Sequence, residues 1–337
     1  MRLTRILGAA AAATLVAALA ACSSSAPEET TSAESDGAFP VTIEHVYGET
    51  IIESKPERVA TVAWANQEVP LALGIVPVGM AKVTWGDDDH DGVLPWVEDK
   101  LTELGADTPV LFDETDGIDF EAVADTEPDV ILAASSGITE DEYETLSKIA
   151  PVVAYPGEAW GTSLEDMIAL NSTALGEADA GAELIDDLHA QITAALDENS
   201  ALKDKKVLFA FFEATDLSQI GFYTPIDTRP GFLLSIGLPA PAVLEEYQDS
   251  TEFYTSISAE QADELDDVDI IATYGDDTTL ATLQADPLLS KIPAIAEGRV
   301  AILENDTPLA ASANPSPLSI GWGIGDYFAL LASPLQG

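Results

Sequence analysis

The chain has 337 residues, with 13 Lys plus Arg against 60 Asp plus Glu, a formal charge of −47 at pH 7 and one cysteine. No cluster of cations exists to displace phosphate counterions, which excludes nucleic-acid binding, and a lone cysteine excludes a disulfide framework. The negative field repels polyanionic solutes and favours neutral or cationic ones; acidity of this kind also serves solubility or salt tolerance.

Arg2 and Arg5 precede a run, Ile6 to Ala21, that is apolar apart from Thr14 and closes on Leu19-Ala20-Ala21-Cys22. A basic start, a short apolar core and small residues at its end describe a secretory signal over 1–21. A membrane-spanning helix needs about 20 apolar residues, and this run is shorter with no stop-transfer charges after it. Leu-Ala-Ala-Cys resembles the bacterial lipobox, which implies cleavage before Cys22 and a diacylglyceryl group on its sulfur. The alternative, a buried or disulfide-bonded Cys22, lacks a partner. The rest of 22–38, "SSSAPEETTSAESDGA", holds no large apolar side chain and reads as a tether too polar to bury a core.

Roughly 300 residues remain, more than one core usually holds, so two lobes are expected. Val41 to Ile52 alternates around Tyr47-Gly48-Glu49 and predicts a hairpin. "RVATVAW" (58–64) is a strand, "NQEVPLALG" a brief helix ending on Gly74, and "IVPVGM" another strand. The alternation repeats with a helix over 119–128, a buried strand over 129–135, a helix over 139–151 and the strand "VVAY". Such alternation means an α/β lobe, residues 39–162, with a mainly parallel sheet. From 163 to 199 the period becomes helical, with Leu184, Ile185, Leu188, Ile192, Ala195 and Leu196 on one face. That stretch predicts a linking helix.

The second lobe, 200–337, resumes with a strand over 205–214, a helix over 229–237, a helix over 258–268 and a strand over 269–275. A strand over 299–303 and a closing helix over 319–333 complete it.

"DDDHDGVLPWVE" (87–98) fits the twelve-residue calcium loop, with Asp87, Asp89, Asp91, Gly92 at the turn, Leu94 and Glu98. The residues before it read as strand and loop rather than helix, and Pro95 is unusual in such a loop, so a solvated acidic loop is the competing reading. "GWGIG" (321–325) lacks dinucleotide-fingerprint spacing and reads as a helix start. His45, His90 and His189 lie apart in sequence, unlike the ligands of a directly bound transition metal. No G-x-S-x-G, Walker loop or H-E-x-x-H occurs, so the chain carries no readable sign of an enzyme.

Five phrases in order, "KPERVATVAWANQEVPLALGIVPVG" (55–79), "DFEAVADTEPDVILAASSGITEDEYETLSKIAPVVAY" (119–155), "ISAEQADELDDVDIIATY" (257–274), "DPLLSKIPAIAEGRVAIL" (286–303) and "SPLSIGWGIGDYFALL" (316–331), resemble the iron-siderophore solute-binding lipoproteins of ABC importers, a family that also holds vitamin B12 and haem binders. The resemblance implies two Rossmann-like α/β lobes joined by a single long helix, a ligand cleft between them and modest closure. It implies a monomer, lipid-anchored on the extracytoplasmic face of the cell membrane, that binds a ferric siderophore and delivers it to a permease without chemistry or cofactor of its own. A B12 or haem carrier is the alternative within the family. A lipid-anchored hydrolase or a calcium-dependent adhesion module is the alternative outside it.

A bulky ferric chelate needs flat aromatic walls and a few polar tips. Trp64, Trp85 and Trp160 follow strands of the first lobe, Tyr223 and Tyr274 belong to the second, and ligands sit at strand C-terminal ends in such sheets. Trp322, near the start of the closing helix, could also touch the ligand. Each ring could instead pack under its own loop. Arg229 matches a position where the family often places a cleft arginine, able to donate to chelating oxygens; a surface charge or salt bridge is its other reading. One such arginine favours hydroxamate or mixed ligands over triply anionic catecholates. The resemblance places permease-docking glutamates at Glu121 and Glu260, which would otherwise be ordinary solvent-facing charge.

Overall fold

The computed structural model describes residues 39–213 and 215–336; the signal at 1–21, Cys22 and the rest of the 22–38 tether lie outside them. β1 (Val41–His45) and β2 (Gly48–Ile52) form the expected antiparallel hairpin, with Ile43 and Ile52 turned inward. Gly48 takes φ +118, a turn conformation that strains any residue with a Cβ.

The first lobe runs β3 (Val59–Thr61), α1 (Glu68–Ala72), β4 (Gly79–Ala81), α2 (Pro95–Leu104), β5 (Val110–Phe112), α3 (Phe120–Asp125), β6 (Val130–Leu132), α4 (Glu140–Leu146) and β7 (Val152–Val153). Its five strands are parallel in the order β5-β4-β3-β6-β7. β3, β6 and β7 are buried on both faces, which is why they read as unbroken apolar runs. Two of its helices start where the sequence puts them, each on a cap: Asp119 accepts from Ala122 N–H at 3.0 Å, and Thr139 with Glu142 makes a capping box on α4. α2 and β5 carried no clear signal. α2 begins inside the acidic stretch, and β5 leaves Val110 51% exposed.

The single helix expected over 163–199 is two. α5 (Leu164–Ala174) starts on the Ser163 cap and α6 (Ala178–Glu198) follows. Between them Gly176 takes φ +72 and turns the chain, and a Cβ there would lie 2.5 Å from the Phe39 ring. α6 alone spans about 31 Å. A Cβ on Gly181 would lie 2.0 Å from Ser172 Oγ, so a glycine is needed there for α6 to seat against α5.

The second lobe runs β8 (Val207–Glu213), β9 (Asp216–Tyr223), α7 (Thr228–Ser235), α8 (Ala242–Glu245), β10 (Tyr254–Ser258), β11 (Ile270–Gly275), α9 (Thr279–Ala285), α10 (Pro293–Ala296), β12 (Val300–Glu304), α11 (Pro308–Ser312) and α12 (Pro317–Ala332). Its sheet, β10-β9-β8-β11-β12, is mixed: β8, β11 and β12 are parallel, β9 and β10 antiparallel. β9 was not legible because its inward residues do not alternate. The helix expected over 258–268 is a 3₁₀ segment, Ala259–Leu265, kinked at Gln261.

The lobes do not have separate interiors. Ala65 and Val69 of the first lobe share one apolar cluster with Met167 and Ile168 of α5, Leu188 and Ile192 of α6, Phe209, Ile270 and Phe328. A close-packed seam of this kind resists wide opening. No described helix is long and apolar enough to cross a membrane.

Candidate ligand-binding cleft

Between the lobes lies a cleft of about 1100 Å³. From the first lobe it is lined by Trp64 after β3, Trp85 after β4, Ser135 after β6 and Trp160 after β7; from the second by Phe211, Tyr223, Arg229, Tyr254 and Tyr274. The first-lobe residues follow the C-terminal ends of parallel strands, where such sheets hold ligands.

Backbone placement explains how the rings reach it. Ala63 and Ala65 both have left-handed φ values of 61 and 63, flanking Trp64. The turn is clamped by Glu114, whose two carboxylate oxygens accept the Ala63 N–H at 3.2 and 3.0 Å. Burial pushes the Glu114 carboxyl up to about 7, against the pull of that hydrogen bond. Buried Asn66 ties the same turn to the end of β6, donating to Val62 and Ser135 carbonyls at 2.8 Å and accepting from Ser135 N–H at 3.0 Å. Trp160 has φ 61 and lies over Gly137, where a Cβ would sit 2.1 Å from its Nε1. Its ring is 47% exposed at the rim. Trp85 meets Tyr274 of the other lobe edge to face at 5.5 Å.

Arg229 does line the cleft, but its guanidinium is already engaged. Nε donates to Asp227 Oδ1 at 2.8 Å and Nη2 to Oδ2 at 2.6 Å, a bidentate pair whose side chains are 16% and 9% exposed. The cation lies 3.6 Å above the Tyr223 ring centroid. Burial alone would lower its pKa, but Asp227 more than offsets this and holds it above the ordinary arginine value. Arg229 therefore reaches the cleft as expected and also makes the salt bridge that was its other reading: Asp227 caps the start of α7 and takes two of the five guanidinium N–H donors. Asp227, two residues before Arg229 at a helix start, was the readable sign of it.

Trp322 does not line the cleft. α12 turns it toward α2, where it packs on Trp96 at 5.1 Å. The same seam buries Glu68, 1% exposed, which accepts from Trp96 Nε1 at 2.7 Å and from Leu318 N–H at 2.9 Å. Burial raises its pKa, opposed by those hydrogen bonds. Nothing in its local sequence marked Glu68 as a link between lobes.

Glu121 is exposed in the first turn of α3, and Glu260 is exposed just after β10, where Ser258 Oγ accepts its N–H at 3.3 Å. In the acidic loop, Asp87, Asp89 and Asp91 bring one carboxylate oxygen each within 4.8 Å of one another. Asp87 accepts from Gly92 N–H at 2.7 Å and His90 N–H at 2.9 Å, and Gly92 takes φ +94. Strand and turn precede the loop, as expected. Pro95 is the first residue of α2, a position that suits its fixed φ, and puts Glu98 in the first helical turn. Burial, then Asp91, Asp89 and Asp87, push Glu98 up to about 6. His45 bonds Thr50 Oγ1 at 2.9 Å, His189 bonds Glu165 at 2.8 Å, and His90 sits in the acidic loop.

A model described as periplasmic binding protein matches residues 59–307. The chain belongs to the periplasmic binding protein family. Streptococcus pneumoniae PiaA, solved in complex with ferrichrome, is 48% identical with a TM-score of 0.84, covering 88% of this chain and 99% of that one. The probable siderophore-binding lipoprotein YfiY of Bacillus subtilis is 27% identical over 68% of this chain and 66% of its own length. The ferric-anguibactin-binding protein FatB of Vibrio anguillarum is 26% identical over 83% and 85%. The resemblance to iron-siderophore binders and the two-lobe α/β fold are thereby borne out for this periplasmic binding protein.

Proposed function

We propose that this periplasmic binding protein is the lipid-anchored, extracytoplasmic component of an iron ABC importer, taking a ferric hydroxamate between its lobes and handing it to a permease. The observation that carries this is an aromatic-walled cleft whose one guanidinium is neutralised by Asp227, which suits a bulky chelate of low charge rather than a triply anionic one. The likeness to PiaA, solved with ferrichrome, supports the hydroxamate class. Trp64, Trp85, Trp160, Tyr223 and Tyr274 would wall the chelate, Glu121 and Glu260 would meet the permease, and Cys22 would carry the lipid. The protein would bind as a monomer and leave its ligand chemically unchanged.

Tryptophan-fluorescence quenching decides it. Ferrichrome should quench at sub-micromolar concentration, and a ferric catecholate, haem and cobalamin should not. Quenching by haem or cobalamin alone, or turnover of any ligand, would remove the reading. We further propose the loop at 87–98 as a structural calcium site, with Asp87, Asp89 and Asp91, whose oxygens lie together, and Glu98, twelfth in the loop, as carboxylate ligands.

A further inference from the structure

The cleft's charges are one-sided. Three carboxylates, Glu165, Glu213 and Asp227, line it with one guanidinium, whose charge is paired by Asp227. Glu165 bonds His189 at 2.8 Å. Glu213 pairs with no cation among the described residues. It ends β8 two residues after Phe211, and both line the cleft. The Phe211 ring lies 5.3 Å from Tyr223 and 5.8 Å from Tyr254, and Tyr254 is 63% exposed at the edge of the sheet. An unpaired carboxylate on the same cleft wall as the exposed Tyr254 ring can hold an alkylammonium, by ion pairing and by attraction to the ring quadrupole.

We infer that the corner formed by Glu213, Phe211 and Tyr254 is a subsite for a cationic arm of the ligand, so that the cleft ranks ferric hydroxamates by charge. This rests on the hydroxamate reading above and adds a sign to it: cationic chelates bind before neutral ones, and neutral before anionic. Iron coordination supplies the bulk that fills the cleft, and the corner reads what hangs from it.

The test uses three chelates with identical iron coordination: ferrioxamine B, which carries one pendant ammonium, its N-acetyl derivative, which is neutral, and its N-succinyl derivative, which is anionic. Quenching titrations of the folded protein should give affinities falling about fivefold per charge step at low ionic strength, with the steps shrinking at about 0.5 M salt as screening takes over. Glu213→Gln should cut the ratio of cationic to neutral affinity to under about twofold, and Glu213→Lys should reverse the order. Equal affinities for the three, or a ratio untouched by Glu213→Gln, would overturn the subsite while leaving the hydroxamate reading standing. Failure of all three, and of ferrichrome, to bind would remove the hydroxamate reading and the subsite with it.

Discussion

Asp227→Asn is the sharpest perturbation of the cleft. The Arg229–Asp227 pair is largely withdrawn from water, with side chains 16% and 9% exposed and two hydrogen bonds of 2.8 and 2.6 Å. Removing one partner of such a pair costs about 3–5 kcal/mol, because the other charge stays buried without compensation. Two features soften the loss here. Asparagine keeps an oxygen for the Arg229 N–H and for one guanidinium N–H, and the Tyr223 ring at 3.6 Å continues to stabilise the cation by about 0.5–2 kcal/mol. The net expectation is a loss of about 2–3 kcal/mol, and a fall in Tm of about 3–5 °C at this chain length. Urea denaturation of the parent, Asp227→Asn, Arg229→Gln and the double variant reads it directly. The double variant should be more stable than the sum of the single losses, with a coupling of about 2 kcal/mol. A coupling below about 0.5 kcal/mol would refute the reasoning, because it would mean that cleft water screens the pair as it screens surface ion pairs. Asp227→Asn also removes the charge that neutralises the cleft guanidinium, so the anionic succinyl chelate should gain affinity relative to the cationic one.

Glu114 makes a pH prediction. Its folded pKa, about 7, lies above its unfolded value near 4.5, so its stabilising contribution is complete below about pH 4.5 and is lost as pH rises through 7. Glu114→Gln keeps an oxygen for the Ala63 N–H and removes the ionisation, and should flatten the fall in stability across that window by about 2–3 kcal/mol, read as Tm against pH; an unchanged slope would place the titration elsewhere. Glu68→Ala leaves the Trp96 indole N–H and the Leu318 N–H buried without acceptors and should cost about 2–4 kcal/mol in thermal or urea unfolding; a loss under about 1 kcal/mol would mean water enters the seam. Millimolar calcium should stabilise the parent by about 1–3 kcal/mol and leave Asp89→Ala unmoved; no shift up to about 10 mM would make the loop merely acidic surface. Glu121→Ala with Glu260→Ala should bind ferrichrome as the parent does yet fail to support its uptake by cells, and normal uptake would remove the docking role.

The α/β character of both lobes was legible because buried strands are short apolar runs that alternate with short amphipathic stretches. The aromatics of the cleft were legible for the same reason, since Trp64, Trp85 and Tyr274 stand at or just beyond strand ends. β9 escaped because a strand with uneven burial has no period to detect, and the break at Gly176 escaped because one glycine inside an amphipathic run is compatible with either a helix or a turn. Only the Phe39 ring beneath it shows which.

The sequence by itself determined where helices and strands alternate, the surplus of acid over base, and which residues stand at strand ends, because each depends on neighbours within a few positions. The tertiary structure alone decided which partner each polar group takes. Glu68 receives an N–H from a residue 250 positions away, Trp322 turns to Trp96 rather than the cleft, and Arg229 is spent on Asp227. The first two depend on packing between distant segments, and the third on the desolvation that makes a neighbouring carboxylate the partner. The sign of charge offered to a ligand was set there, once the fold had buried its one cleft arginine against a carboxylate.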